Sequence, residues 1–134
     1  MDFFSQVSDW VEDVKEALDD GLSEIAFLVG ESVVTLSPVK TGRFRGNWQL
    51  TINGLSNTSL IRYDKSGAET LKEIRDKSQS FTYGEIAYIQ NNILYGPRLE
   101  DGSSQQAPNG MVAITEDRFV SIVNDVMKRR SGGL

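Results

Sequence analysis

Neither cysteine nor histidine occurs in this chain of 134 residues. Without cysteine there can be no disulfide and no thiolate metal site, which suits a reducing compartment. Without histidine the chain lacks the side chain most often used as general acid or base near neutral pH, and the commonest zinc ligand. Carboxylate-only catalysis and magnesium binding stay open, but nothing calls for a cofactor. No apolar run approaches the ~20 residues of a membrane span, and the start, Met1 to Phe4, carries no basic leader of a secretory signal. Cations are in deficit as well. The net charge is −5, so phosphate is repelled at long range and general DNA binding is disfavoured. The length suits one domain with a core large enough to need no staple.

What is present is helical periodicity at both ends. Val7, Trp10, Val11, Val14, Leu18, Leu22, Ile25, Val29 and Val33 step by three or four, with acids on the other face. This predicts a helix from Asp2 to Leu36, capped by Asp2 or Ser5 and open to a bend or break at Gly21. Pro38 ends it, because the residue before proline avoids helical geometry. The basic segment Ser37 to Asn47 reads as a loop. Trp48, Leu50 and Ile52 alternate with Gln49 and Thr51, predicting a half-buried strand over Asn47 to Asn53. Asn53-Gly54 is a turn signal. Further strands are expected at Ser59 to Tyr63 and Phe81 to Gln90, the latter with a turn or bulge at Gly84, and a short surface helix at Ala68 to Lys77. Asn91 to Gly110, rich in Gly, Pro, Ser, Asn and Gln, predicts a long loop of the kind that is usually functional. Gly110 to Ile114 reads as a short strand. Thr115 then caps a closing helix with Phe119, Ile122, Val123 and Val126 as its apolar stripe and Lys128, Arg129 and Arg130 at its negative end. Ser131 to Leu134 should fray. The expected fold is α+β: a long amphipathic N-terminal helix and a C-terminal helix packed on a small antiparallel sheet, in one domain spanning residues 1–134.

Four features bear on chemistry. Lys40, Arg43, Phe44, Arg45 and Trp48 form either a solvated connection with a core Trp or a subunit contact, since Arg beside Trp is enriched at interface hot spots. The long loop is either a plain ordered surface loop or a docking loop. Gly102 and Gly110 allow backbone conformations closed to other residues, Pro97 and Pro108 limit the freedom lost on ordering, and Asn91 and Asn92 hold the loop root. Glu100 and Asp101 are adjacent acids, but neighbours on an extended chain point apart and no further acids complete a catalytic site. Gly42 to Gly46 precedes a strand, not a helix, so it lacks phosphate-loop geometry.

Two blocks of residues carry a family resemblance. The first is Ser37, Pro38, Val39, Thr41, Gly42, Arg43, Phe44 and Trp48. The second is Tyr88, Ile89, Asn91, Asn92, Tyr95, Leu99, Glu100, Gly102, Ser104, Ala107, Pro108, Gly110, Met111 and Val112. Together they resemble the tail-completion (neck) proteins of long-tailed bacteriophages, the family named after a small protein of phage HK97. Lys40 departs from the pattern, where the family often has an acid, so no ion pair of that acid carries over. Gly96-Pro97 and Asp101 also depart.

The resemblance implies a structural virion protein with no enzymatic activity. It implies a homohexameric ring at the head–tail junction, assembled in the host cytoplasm, that joins the tail to the DNA-filled head. The implied partners are further copies of itself, a tail terminator or tube protein and head connector proteins; DNA passes through without specific binding. The interface residues so implied are Lys40, Arg43, Phe44, Arg45 and Trp48, with Asn91, Asn92, Tyr95, Arg98, Glu100, Ser103, Ser104, Gln105 and Gln106. Neighbouring subunits are expected to meet basic connection against acidic helix, and the long loop to order on docking. A connector adaptor, a minor tail component and a DNA-binding phage protein are the alternatives.

Overall fold

The computed structural model describes residues 2–131. Its first helix, α1 (Phe3–Leu36), is 34 residues long and runs unbroken through Gly21, about 51 Å at 1.5 Å per residue. Asp2 is the cap: its carboxylate accepts from the Ser5 amide at 2.8 Å. Ser37, before Pro38, turns extended and ends the helix. Its hydroxyl donates back to the Val33 carbonyl at 2.6 Å and accepts from the Trp48 indole N–H at 2.6 Å, so the helix end is pinned to the first strand.

A single 3₁₀ turn (Arg45–Asn47) leads into β1 (Trp48–Ile52). Then come α2 (Ala68–Ser78), β2 (Ala87–Asn91), α3 (Gly96–Glu100) and α4 (Val112–Ser131). The two strands pair antiparallel, with Trp48 opposite Asn91, Leu50 opposite Ile89 and Ile52 opposite Ala87. This is the α+β single domain expected, although its sheet has only two strands. The sheet's apolar face meets α1 and α2 around Phe27, Val34, Phe44, Trp48, Leu50 and Ile74. Gly30 makes the approach of α2 possible, because a β-carbon there would lie 2.8 Å from the Ile74 side chain. Arg75 lies over the Phe27 ring at 3.7 Å and closes that edge of the core.

The closing helix α4 packs chiefly along α1, antiparallel to it. Ser32 and Thr115 share a hydrogen bond at one end. At the other, Arg129 and Arg130 both reach Glu24, at 2.7 and 2.9 Å. Two of the three terminal cations therefore act as an intrachain clamp. Gly21 lies buried against Val126 and Met127. Of the expected stripe, Val126 is fully buried and Ile122 and Val123 partly so, while Phe119 stays exposed.

The structure departs from the sequence reading in three places. No strand forms at Ser59 to Tyr63. There Ile61 and Tyr63 point outward, whereas Arg62 and Asp64 are buried. The backbone of this strap is held by side chains instead of a ladder. Asn47 donates to the Arg43 and Leu60 carbonyls and accepts from the Leu60 amide. Gln49 donates to Thr58, Gln90 to Ser56, and Asn92 to both. Arg62 donates to the carbonyls of Gly46 and Trp48 and pairs with Glu73. The second expected strand begins only at Ala87, because Thr82 to Glu85 forms a turn in which the Glu85 carboxylate accepts from the Thr82 amide and hydroxyl. Gly110 to Ile114 is not a strand either: α4 already starts at Val112, and Thr115 lies within its first turn, donating to the Met111 carbonyl. The frayed end expected at Ser131 to Leu134 lies outside the described residues from Gly132 onward.

Asn47 is 0% exposed and makes three hydrogen bonds. Asn47→Ala should therefore strand buried backbone groups and lower stability by about 3 kcal/mol. Urea unfolding checks this; a loss under about 1 kcal/mol would mean the strap is held by other contacts.

Candidate functional site

The two segments that carry the resemblance come together in space. Gln106 bridges to Val39 with two hydrogen bonds: its carbonyl accepts from the Val39 amide at 2.9 Å and its amide donates to the Val39 carbonyl at 3.0 Å. Asn91 donates to the Phe44 carbonyl at 2.8 Å and accepts from the Ile93 amide. The Phe44 ring meets Trp48 edge-on at 5.8 Å and Tyr95 at 6.2 Å. The connection after α1 and the region after β2 thus form one surface around a groove of about 640 Å³, lined by Val39, Lys40, Arg43, Phe44, Tyr95 and Leu99 among others.

Residues 92–111 are not an open loop. They contain α3, which Pro97 helps to start, and then a series of tight turns. Gly102 and Gly110 have φ of 89° and 79°, the left-handed region that favours glycine. Ala107 and Met111 are buried. An ordered segment of this kind has no need of a partner to fold.

Glu100 organises its far end. Its carboxylate accepts from the amides of Met111, Val112 and Ala113 at 2.9, 2.8 and 3.0 Å. The first turn of α4 contains no acid, so Glu100 supplies the negative charge that a helix N-terminus favours. Partial burial pushes its pKa up, and the three amides outweigh that, leaving it below the usual glutamate range. Asp64 does the same for α2, accepting from the Thr70 amide and hydroxyl and the Gly67 amide. Burial again acts against these bonds, and the net effect is a lowered pKa.

The candidate residues therefore divide into two sets. Phe44 and Trp48 belong to the core, at 5% and 4% exposure. Arg45 faces inward, donating to the carbonyls of Ser37, Thr35 and Lys65, and its Nε is buried without a partner. Asn91, Asn92, Glu100, Ser104 and Gln106 are engaged in bonds within the chain. Lys40, Arg43, Tyr95, Arg98, Ser103 and Gln105 present side chains at the surface, Arg43 half-buried. Asp101 is exposed beside Glu100, and the two do not converge on a site. Among the described residues no three Cys, His, Asp or Glu side chains group as metal ligands, and no helix is long and apolar enough to cross a membrane.

Sequence reasoning passed over Leu94, which is 97% exposed, and Ile61 at 94%. Both are bare aliphatic side chains, and Leu94 lines a small depression beside the groove with Arg43 and Tyr95. It also placed Val7, Trp10 and Val11 on the apolar stripe of a helix expected to pack on the sheet. They are exposed, along with Phe3 and Phe4. The available signal was length: a helix of 34 residues faces one of 20, so the first turns of α1 outrun their partner.

Comparison of the chain with protein families, curated proteins and solved structures finds no match.

The Ser5 amide lowers Asp2 at the α1 cap as well, and the two partly buried carboxylates, Glu100 and Asp64, contribute to the acid limb of stability. Both pKa values lie below their unfolded values, so the unfolded chain binds more protons and acid favours it. The stabilisation is complete above the unfolded values, about pH 4 to 4.5, and is lost as pH falls through the native ones. Glu100→Gln should lower the melting temperature at pH 7 and flatten its fall between about pH 4 and 2. Melts across that range check both; an unchanged acid limb would place its origin elsewhere.

Proposed function

We propose that this chain is a structural subunit of a long-tailed bacteriophage, a tail-completion or neck protein at the head–tail junction. Copies form a closed ring around the DNA path, a hexamer on the symmetry of the tail, and join the completed tail to the DNA-filled head. The protein assembles in the host cytoplasm, works in the virion and carries out no reaction.

One observation supports this reading above the rest. The two sequence blocks that resemble the neck family are about fifty residues apart, yet they bond to each other through Gln106–Val39 and Asn91–Phe44 and share one groove. A pattern that is dispersed along a chain and contiguous in space fits a single binding face. Its surface is basic, apolar and amide-rich, and it holds no acid–base pair poised over a cavity. The net charge of −5 fits a channel wall along which DNA slides without adhering.

Within this reading, the exposed edge of α3 and the turns after it, Arg98, Ser103 and Gln105, meet the tail terminator or a head connector protein. The basic connection meets the next subunit. Because Arg45 and Trp48 are engaged inside the fold, that subunit contact falls to Lys40 and Arg43.

Arg98→Glu combined with Gln105→Glu tests the docking edge. Both side chains are exposed and make no side-chain hydrogen bond or ion pair among the described residues, so the melting temperature should not move. Infectious titre in a complementation assay should fall by about tenfold or more, with free heads and finished tails accumulating. Normal joining would remove the docking edge. Particles whose junction, imaged at side-chain resolution, lacks this polypeptide would remove the functional reading itself.

A further inference from the structure

The first turns of α1 carry a run of exposed apolar side chains that nothing above accounts for. Every residue from Asp2 to Asp13 is exposed. Phe3, Phe4 and Trp10 are 72%, 82% and 63% exposed, and Val7 and Val11 continue the same apolar stripe. The stripe is fully formed, and among the described residues nothing covers it, because α4 ends its described course near Gly21. Burying three aromatic side chains of about 150–250 Å² each amounts to roughly 500 Å² on the arm alone, a large part of the ~800 Å² per partner of a standard interface.

We propose that this arm docks into the Lys40–Arg43–Tyr95 groove of a second copy of the chain, an inference that rests on the ring-subunit reading and specifies its subunit contact. Charge selects the occupant. Between Asp2 and Glu16 the arm has five acids and one lysine, and that lysine already lies 3.8 Å from Glu12. The groove is the opposite case. Lys40 and Arg43 line it with no carboxylate among the other lining residues, and neither cation takes part in an ion pair among the described residues. Val39, Phe44, Tyr95, Leu99 and the neighbouring Leu94 supply apolar ground for the stripe. Packing arm on arm would instead set five acids against five.

Helix geometry makes the contact intermolecular. The groove opens just after Leu36, at the far end of the same unbroken helix. Trp10 and Leu36 are 26 residues apart, about 39 Å along the axis, so the arm cannot reach its own groove. Each copy donates one arm and accepts another. Such a head-to-tail contact generates a ring when the rotation closes and a filament when it does not.

The test uses two full-length variants. Phe3→Ser, Phe4→Ser, Trp10→Ser removes the stripe, and Lys40→Glu, Arg43→Glu reverses the groove; neither touches a core contact, so both should melt like the unaltered chain. Sedimentation velocity should show the unaltered chain assembling, more weakly as salt rises, and each variant alone at least about tenfold weaker in self-association. Mixed one to one, the variants should form a dimer and nothing larger, since only one good arm meets one good groove. Trp10 of the groove variant should shift to blue emission in that mixture. The inference is overturned if the mixture stays monomeric, if the stripe variant assembles like the unaltered chain, if the groove variant assembles alone through its arms, or if the unaltered chain stays monomeric. Dimers from the mixture with no polypeptide at the particle junction would defeat only the functional reading; a polypeptide at the junction without such dimers would defeat only the arm.

Discussion

Side-chain amides and carboxylates hold this fold together where a larger sheet would use backbone ladders. With only five residue pairs in its sheet, the protein leaves the backbone of residues 53–67 and 92–111 without regular partners. Buried N–H and C=O groups must still be satisfied. Asn47, Gln49, Gln90 and Asn92 satisfy the strap over the sheet's polar face, and Asn91, Glu100 and Gln106 do so for the region around the groove. Each is a short polar group with fixed geometry, so the irregular segments are ordered without becoming strands. The groove follows from this, since its two walls are tied by hydrogen bonds of the Gln106 and Asn91 side-chain amides.

The second organising feature is the length of α1. Its C-terminal half is the core's spine, with Ala26, Phe27, Val33 and Val34 buried against the sheet, α2 and α4. Its first turns, Asp2 to Asp13, have the same amphipathic construction, and there the apolar side chains stay exposed among the described residues. One helix therefore presents an acidic apolar stripe at one end and leads directly into a basic apolar groove at the other. In the proposed assembly these two ends would meet head to tail, and the rod's length would set the spacing between neighbours.

Glu100 shows how motif residues can serve a site without touching a partner. Its position in a polar, glycine-rich stretch beside Asp101 suggests chemistry or docking when read along the chain. In space it closes the N-terminus of α4, with Gly110 packed directly against it. Arg45, Phe44 and Trp48 are similar: a basic aromatic cluster in the sequence becomes a core and a set of carbonyl bonds, and only Lys40 and Arg43 remain outward.

The amino-acid sequence by itself determined α1, α2, α4, the first strand and the α+β class, because 3.6- and 2-residue periodicities, a cap at Asp2 or Ser5 and the Pro38 stop are local properties of the chain. It also determined that Gly102 and Gly110 would turn the backbone, since only their lack of a β-carbon was needed. The tertiary structure alone decided which apolar residues are core and which are bare. Trp10 and Trp48 have equally good patterns, and only the reach of α4 and the sheet separates them. It likewise decided that Ser59 to Tyr63 is a strap: the choice between ladder and side-chain bonding depends on where Asn47 and the carbonyls of Gly46 and Trp48 arrive from elsewhere in the chain. Burial and hydrogen-bond partnership are properties of neighbours, and a sequence states neighbours only along the chain.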